Sequence, residues 1–199
     1  ATLHRAAYVD WSCVVVPSDR LQRPAMLMSK NHMNQVWSWD HCFNAMALSY
    51  GHLDLAWDQL MMMGDHQDAH GAFPDAVNDF VLHFNFSKPP VHGWALRFMR
   101  ERNVAFATPE RLAEAYDVFS RWAAWWLAHR VAPGEQLPHY LHGNDSGWDN
   151  STIFDAGVPL IAPDLAALLA LHCEELAEIA ALRGEVVSAE WSRRTSRRL

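Results

Sequence analysis

An aromatic stripe constrains this fold more than any other feature. Thr108-Pro109-Glu110 reads as a helix cap and first turn, because a Thr hydroxyl accepts orphan backbone N–H groups and Pro needs no donor there. Behind it Leu112, Tyr116, Phe119, Trp122, Ala123 and Trp126 recur at the spacing of one helix face. So much ring surface on one side must be buried against other elements. The same punctuation recurs along the chain. Val36, Trp39, Phe43, Met46, Ala47 and Tyr50 predict a helix stopped by Gly51, and Asp54 is expected to cap a second that carries Leu55, Leu60, Met61 and Met62 to Gly64. Pro89-Pro90 opens a third with Val91, Trp94, Ala95, Phe98 and Met99 as its buried stripe. Pro163-Asp164 begins another, with Leu165, Leu168, Leu169, His172, Leu176, Ile179 and Ala180, ending near Gly184. Residues 4–16 fit a short helix or a strand equally. Strand signal is otherwise sparse. The reading is all-α, about six helices whose short turns alternate with long polar loops, as in helical hairpins stacked around an axis.

With 199 residues, the chain has enough length for one domain with a sizeable core. A net charge of -7 argues against nucleic acid and anionic membrane surfaces as partners. Cys13, Cys42 and Cys173 are widely spaced and odd in number, which suits free thiols in a reducing compartment. No apolar run reaches the length of a membrane span, and the N-terminus lacks a signal-peptide pattern. A cytoplasmic location is the expectation. Ala1 stands where a Met would, and the basic tail Trp191–Leu199 starts a helix that stops without a cap, so a fragment of a longer protein is expected.

The segment His142-Gly-Asn-Asp-Ser-Gly-Trp-Asp-Asn-Ser-Thr152 has no helical or strand period. It concentrates carboxylates, amides, hydroxyls, glycines and an indole, the groups that wrap a sugar ring. Trp148 beside Asp149 sets a flat apolar face next to an acid, and an apolar neighbour disfavours the charged form of a carboxyl. Asp149 is the favoured acid. Asp145 is its rival, although its position resembles a turn-stabilising residue. In Trp37-Ser-Trp-Asp40 two indoles bracket a carboxylate suited to vicinal hydroxyls. His92, in Lys88-Pro-Pro-Val-His-Gly-Trp94, could face a pocket or sit satisfied in the core. His66 and His70 have the spacing of a helical metal pair, but no third ligand accompanies them, and no metal is expected. The Met61-Met-Met63 run reads as core filling.

Trp37-Ser-Trp-Asp40, Gly71-Ala-Phe-Pro-Asp75, Lys88-Pro-Pro90, Ser146-Gly-Trp-Asp-Asn-Ser151 and Pro163-Asp-Leu165 resemble glycoside hydrolase family 63, specifically its bacterial glucosylglycerate and mannosylglycerate hydrolase branch. Trehalases carry a similar Ser-Gly-Trp-Asp segment. The resemblance implies an (α/α)6 toroid of twelve helices, about half of it in this chain, and hydrolysis with inversion and without a cofactor. It implies Asp149 as general acid, and Trp37, Trp39, Asp40, His92, Gly147, Trp148 and Asn150 around the sugar. The general base would be a Glu far downstream. Glu174, Glu175 and Glu178 read instead as the solvated face of the last long helix. Thr152-Ile-Phe154 departs from the Arg that follows the motif in many relatives. The implied substrate is a small α-glycoside, glucosylglycerate first, with mannosylglycerate or another α-glucoside as alternatives. Other readings are a carbohydrate-binding fragment whose open edge favours self-association, or a sugar isomerase or epimerase using His66, His70 and His92.

Overall fold

A computed structural model describes residues 1–199. Seven α-helices carry it: α1 (Thr2–Ser12), α2 (Asp40–Leu48), α3 (Leu53–Met61), α4 (His92–Arg102), α5 (Pro109–His129), α6 (Pro163–Leu182) and α7 (Val186–Arg198). α5 forms as its stripe predicts. The Thr108 hydroxyl accepts the Arg111 N–H, Pro109 fills the first turn, and Leu112, Phe119, Trp122, Ala123 and Trp126 are buried, with Ala115 and Val118 beside them. α6 buries Leu165, Leu169, Leu176 and Ile179 and turns at Gly184, in the left-handed region at φ 75°, into α7. The packed pairs are α2 with α3 and α6 with α7, and α4 joins both by lying against α2 and α6.

The α4–α6 contact is as close as backbone allows. A Cβ on Gly93 would lie 2.4 Å from the His172 Cα. In place of a side chain, the Gly93 N–H donates to His172 Nδ1 at 3.1 Å, which satisfies a first-turn donor that has no partner in its own helix. His172 Nε2 then donates to the Phe119 carbonyl at 3.0 Å. One neutral imidazole thus pins α4, α5 and α6 together, and burial lowers its pKa to about 4.

Several expectations are corrected. The helix expected from Val36 starts at Asp40 instead, because Val36–Trp37 (β3) pairs antiparallel with Ala76–Val77 (β4), which pairs with Leu82–His83 (β5). A second ribbon joins Val14–Val15 (β1) to Ala25–Met26 (β2), so residues 4–16 contain both a helix end and a strand. With α2 begun late, its buried face is His41, Cys42, Ala45 and Met46; Phe43, Ala47 and Tyr50 face outward. His52, not Asp54, precedes α3, and Asp54 reaches out from its first turn to Arg111 at 2.7 Å. Trp94 is also exposed, since the buried face of α4 runs through His92, Ala95, Leu96 and Met99. Glu174 and Glu178 are exposed as expected, but Glu175 is buried against the Arg100 guanidinium of α4. The basic tail continues α7, which packs along α6 through Ala189, Ser192, Thr195 and Ser196. No helix is long and apolar enough to cross a membrane.

Candidate active site

The glycine-bearing loop is built around Asp145. Its Oδ2 accepts the N–H groups of Leu141 (2.9 Å) and His142 (3.1 Å), and its Oδ1 that of Ser87 (2.9 Å). Arg130, from the end of α5, reaches Oδ2 at 3.1 Å. A carboxylate only 2 % exposed and so fully engaged is an organiser, holding the loop to the segment around Ser87 and to the end of α5. These contacts are those of the turn-stabilising residue that its position in the sequence resembles. The 3₁₀ turn Gly143–Ser146 follows, with the Ser146 hydroxyl donating to the Gly143 carbonyl at 2.6 Å and accepting the Trp148 N–H at 2.9 Å.

Gly147 then turns through φ 77°, where side chains are strained, and its missing Cβ makes room for the Trp39 indole. A Cβ there would meet the ring at 2.8 Å. This close approach brings the loop onto the start of α2, with the Trp148 and Trp39 rings edge to face at 6.3 Å. Where the loop meets the start of α2 lies a cleft of about 140 Å³, lined by Met28, Met33, Trp37, Trp39, Asp40, Lys88, Gly147 and Asp149.

Two aromatic faces, two carboxylates and one ammonium suit a polyhydroxylated ring. Asp149 projects at the mouth, its side chain 53 % exposed, with Oδ1 at 3.7 Å from Lys88 Nζ. Trp148 is exposed as well, so the water-excluding neighbour that the sequence suggested for Asp149 stands open to solvent. Burial raises the Asp40 carboxyl above its ordinary range, and Lys88 opposes that shift. Lys88 itself is buried and donates to the Asn144 carbonyl. On its other side stands Asp75, whose pKa burial pushes up to about 6 against the pull of Lys88.

The loop also walls a second hollow of about 200 Å³ behind Trp148, bounded by Tyr140, Ser146, Ile153, Phe154 and Asp164. There the Tyr140 hydroxyl donates to Asp164 Oδ2 at 2.9 Å. Thr152–Phe154 is a 3₁₀ turn that sets the Phe154 ring against Tyr140.

Of the residues singled out in the sequence, Trp37, Trp39, Asp40, Gly147 and Asp149 share the cleft. Asn150 is exposed and lines a wider hollow with Gly147, Trp148, Asp149 and Ser151. His92 is not brought to the cleft. It is fully buried, with Phe73 and Phe119 against its ring and its Nε2 at 3.0 Å from His41 Nε2. Helix α4 turns that position inward, and burial keeps the imidazole neutral by lowering its pKa well below the ordinary value.

The donors of His41, Cys42 and His92 lie within 4.8 Å of one another. Yet the His41 ring is already bonded to the Trp37 carbonyl at 2.8 Å and to His92, and burial holds the Cys42 thiol protonated. Those contacts describe a hydrogen-bonded core rather than a ligand set. His66 closes a 3₁₀ turn and His70 lies in the bend beyond it, so the two share no helix face. Lys88, Asp75, Met28 and Met33 were not among the expected site residues. For Lys88 and Asp75 the available signal was a charged residue in each of two Pro-bearing motifs.

The profile of the mannosylglycerate hydrolase MGH1-like glycoside hydrolase domain matches residues 33–199. No curated protein matches the chain. Among solved structures, an uncharacterized conserved protein from Thermus thermophilus superposes with a TM-score of 0.73 at 18 % identity, over 97 % of this chain and 60 % of that one. The GH63 mannosylglycerate hydrolase of the same organism, in complex with glucose, gives 0.69 at 17 % identity, over 97 % and 63 %. Its complex with Tris and D-glycerate gives 0.67 at 18 %, with the same coverage. This chain therefore spans somewhat under two thirds of the length of these structures, and at such identity they share its fold. Most of its length matches one family, and the chain belongs to the mannosylglycerate hydrolase MGH1-like glycoside hydrolase domains.

Proposed function

We propose that this chain is the acid-bearing part of an inverting glycoside hydrolase that cleaves a small α-glycoside, glucosylglycerate first and mannosylglycerate second. The observation that carries the reading is Asp149 at the mouth of a cleft walled by Trp37, Trp39 and Asp40. The indoles stack on the apolar faces of the sugar, Asp40 accepts hydroxyl hydrogen bonds, and Asp149 donates its proton to the leaving oxygen. Water attacks from the opposite face, activated by a carboxylate about 6.5–9.5 Å from the acid. That base is a Glu from the part of the family's length that lies beyond this chain. Glu174 and Glu178 face Arg97, and Glu175 faces Arg100, all away from the cleft. Free, buried Cys13, Cys42 and Cys173 support a reducing compartment such as the cytoplasm.

The test is hydrolysis of glucosylglycerate, mannosylglycerate and trehalose by this chain and by a form extended to the length of its relatives. Turnover by the extended form should release the β-anomer first, seen by proton NMR, and Asp149→Asn should lower kcat about 10²–10⁴-fold with substrate binding retained. Full activity in Asp149→Asn would remove the acid assignment. Sugar binding without turnover in both forms would favour a binding module.

A further inference from the structure

The turn that presents Trp37, Trp39 and Asp40 to the cleft is held from its buried side. Trp37 ends β3 and Asp40 starts α2. Between them the Ser38 N–H donates to the Asp75 carbonyl at 2.9 Å. His41, in the first turn of α2, then reaches back, and its Nδ1 lies 2.8 Å from the Trp37 carbonyl. A carbonyl only accepts, so that nitrogen carries a proton. His41 is fully buried and neutral, with its pKa lowered to about 4 by burial, so it has one ring proton to place. Its Nε2 is therefore a bare acceptor. Both neighbours of Nε2 supply the matching hydrogen, His92 Nε2 at 3.0 Å and the Cys42 thiol at 3.6 Å. His92 is neutral too, so its own proton lies on Nε2, and its buried Nδ1 has no partner. The hydrogens run one way, from His92 to His41 to Trp37.

We propose that His41 is a positioning residue for the sugar cleft: as the Nδ1–H tautomer, set by His92, it holds the Trp37 carbonyl and with it the turn that carries Trp37, Trp39 and Asp40. The proposal rests on the reading of this cleft as the sugar site. In a continuous helix the Trp37 carbonyl would accept the backbone N–H of His41, four residues on. Here α2 begins only at Asp40, and the imidazole supplies the donor instead. The other tautomer of His41 is excluded at both ends. Its Nε2–H would oppose the N–H of His92, and its bare Nδ1 would face the lone pairs of the Trp37 carbonyl. His92 is itself held by Phe73 and Phe119 against its ring, so it acts on the cleft without entering it.

The experiment is long-range proton–nitrogen NMR of the imidazoles in this chain, which tells the two tautomers apart. His41 should show a protonated Nδ1 and a bare Nε2, and His92 the reverse. An Nε2–H tautomer at His41 would overturn the proposal, whether or not any variant folds. The indole N–H signals of Trp37 and Trp39 then report on the turn. His41→Gln can accept from His92 but has no donor at the Nδ1 position, and it should displace them. His41→Asn places an amide N–H at that position and should bring them back toward the wild type. Unmoved signals in His41→Gln, or equal displacement in both variants, would overturn the proposal as well, since packing alone would then account for His41. In a form extended to the length of the relatives, KM should rise about tenfold in His41→Gln with kcat changed less, and His41→Asn should recover most of that loss. An extended form that hydrolyses none of the glycosides would sink the sugar-site reading and leave the tautomer and indole results standing.

Discussion

Gly147 and Asp145 show how single residues set the geometry of the cleft. At Gly147 an added methyl meets the Trp39 indole at 2.8 Å, at a φ of 77° that strains any side chain. Gly147→Ala should therefore cost about 1–3 kcal/mol in urea unfolding and weaken sugar binding, because either the loop or Trp39 must withdraw. Unchanged stability and binding would mean that the close approach is dispensable. Asp145→Ala should cost more, about 3–5 kcal/mol, since it leaves the Arg130 guanidinium beside a cavity with no carboxylate. Much of this was legible in the sequence. The glycines, Trp39 and Asp149 are local signals, and a turn-stabilising role for Asp145 follows from its neighbours. Asp75 and Lys88 were harder, because the meaning of each charge lies in the other, and they meet only through the fold. His92 was misplaced for a related reason. A histidine in a first turn points into a cleft or a core according to the helix's rotation, and its partners His41, Phe73 and Phe119 lie on other elements.

Helix positions were legible where punctuation and period agreed. α5 and α6 both open on a proline in the first turn, and the apolar stripe fixes which side is buried. α2 failed at its start because Val36–Trp37 takes its conformation from β4, and two-residue strands have no period to read. Glu175 failed because an acid in a helix reads as solvated until an arginine on another helix reaches it. The crossing of α4 and α6 is the most demanding of these elements. Gly93→Ala would drive a methyl toward backbone of α6 at 2.4 Å and prise Gly93 N–H from His172 Nδ1. Its cost should exceed the roughly 1–3 kcal/mol of ordinary core overpacking. Thr108→Ala, which removes only the cap of α5, should cost about 1 kcal/mol. Thermal unfolding of the two variants side by side checks the ranking, and a larger loss at Thr108 would show that the α4–α6 contact relaxes freely.

Across the whole molecule, buried titratable groups pull in two directions as pH falls. His41 and His172 are held neutral with pKa values lowered by burial from 6.5 to about 4, and His92 lies well below its ordinary value. Between about 4 and 6.5 the unfolded chain binds more protons at these histidines than the folded chain, so their contribution to stability drops on acidification. Asp75 does the opposite. Burial raises it from 3.8 to about 6, the folded chain binds the extra proton in that window, and its contribution improves as pH falls from 6 toward 4. Burial raises Asp40 and Glu175 in the same sense. The shifts at His41 and His172 correspond to roughly 3 kcal/mol each, so these two histidines together outweigh Asp75, and His92 adds to them while Asp40 and Glu175 oppose. The melting temperature should therefore fall from pH 7 to pH 4.5 through loss of the helix contacts around His172 and His92. Asp75→Asn should make that fall steeper, because it removes the opposing group while leaving the histidines in place. A melting temperature that stayed level over this range in the wild type would mean that the imidazoles take up protons without unfolding the α4–α5–α6 core.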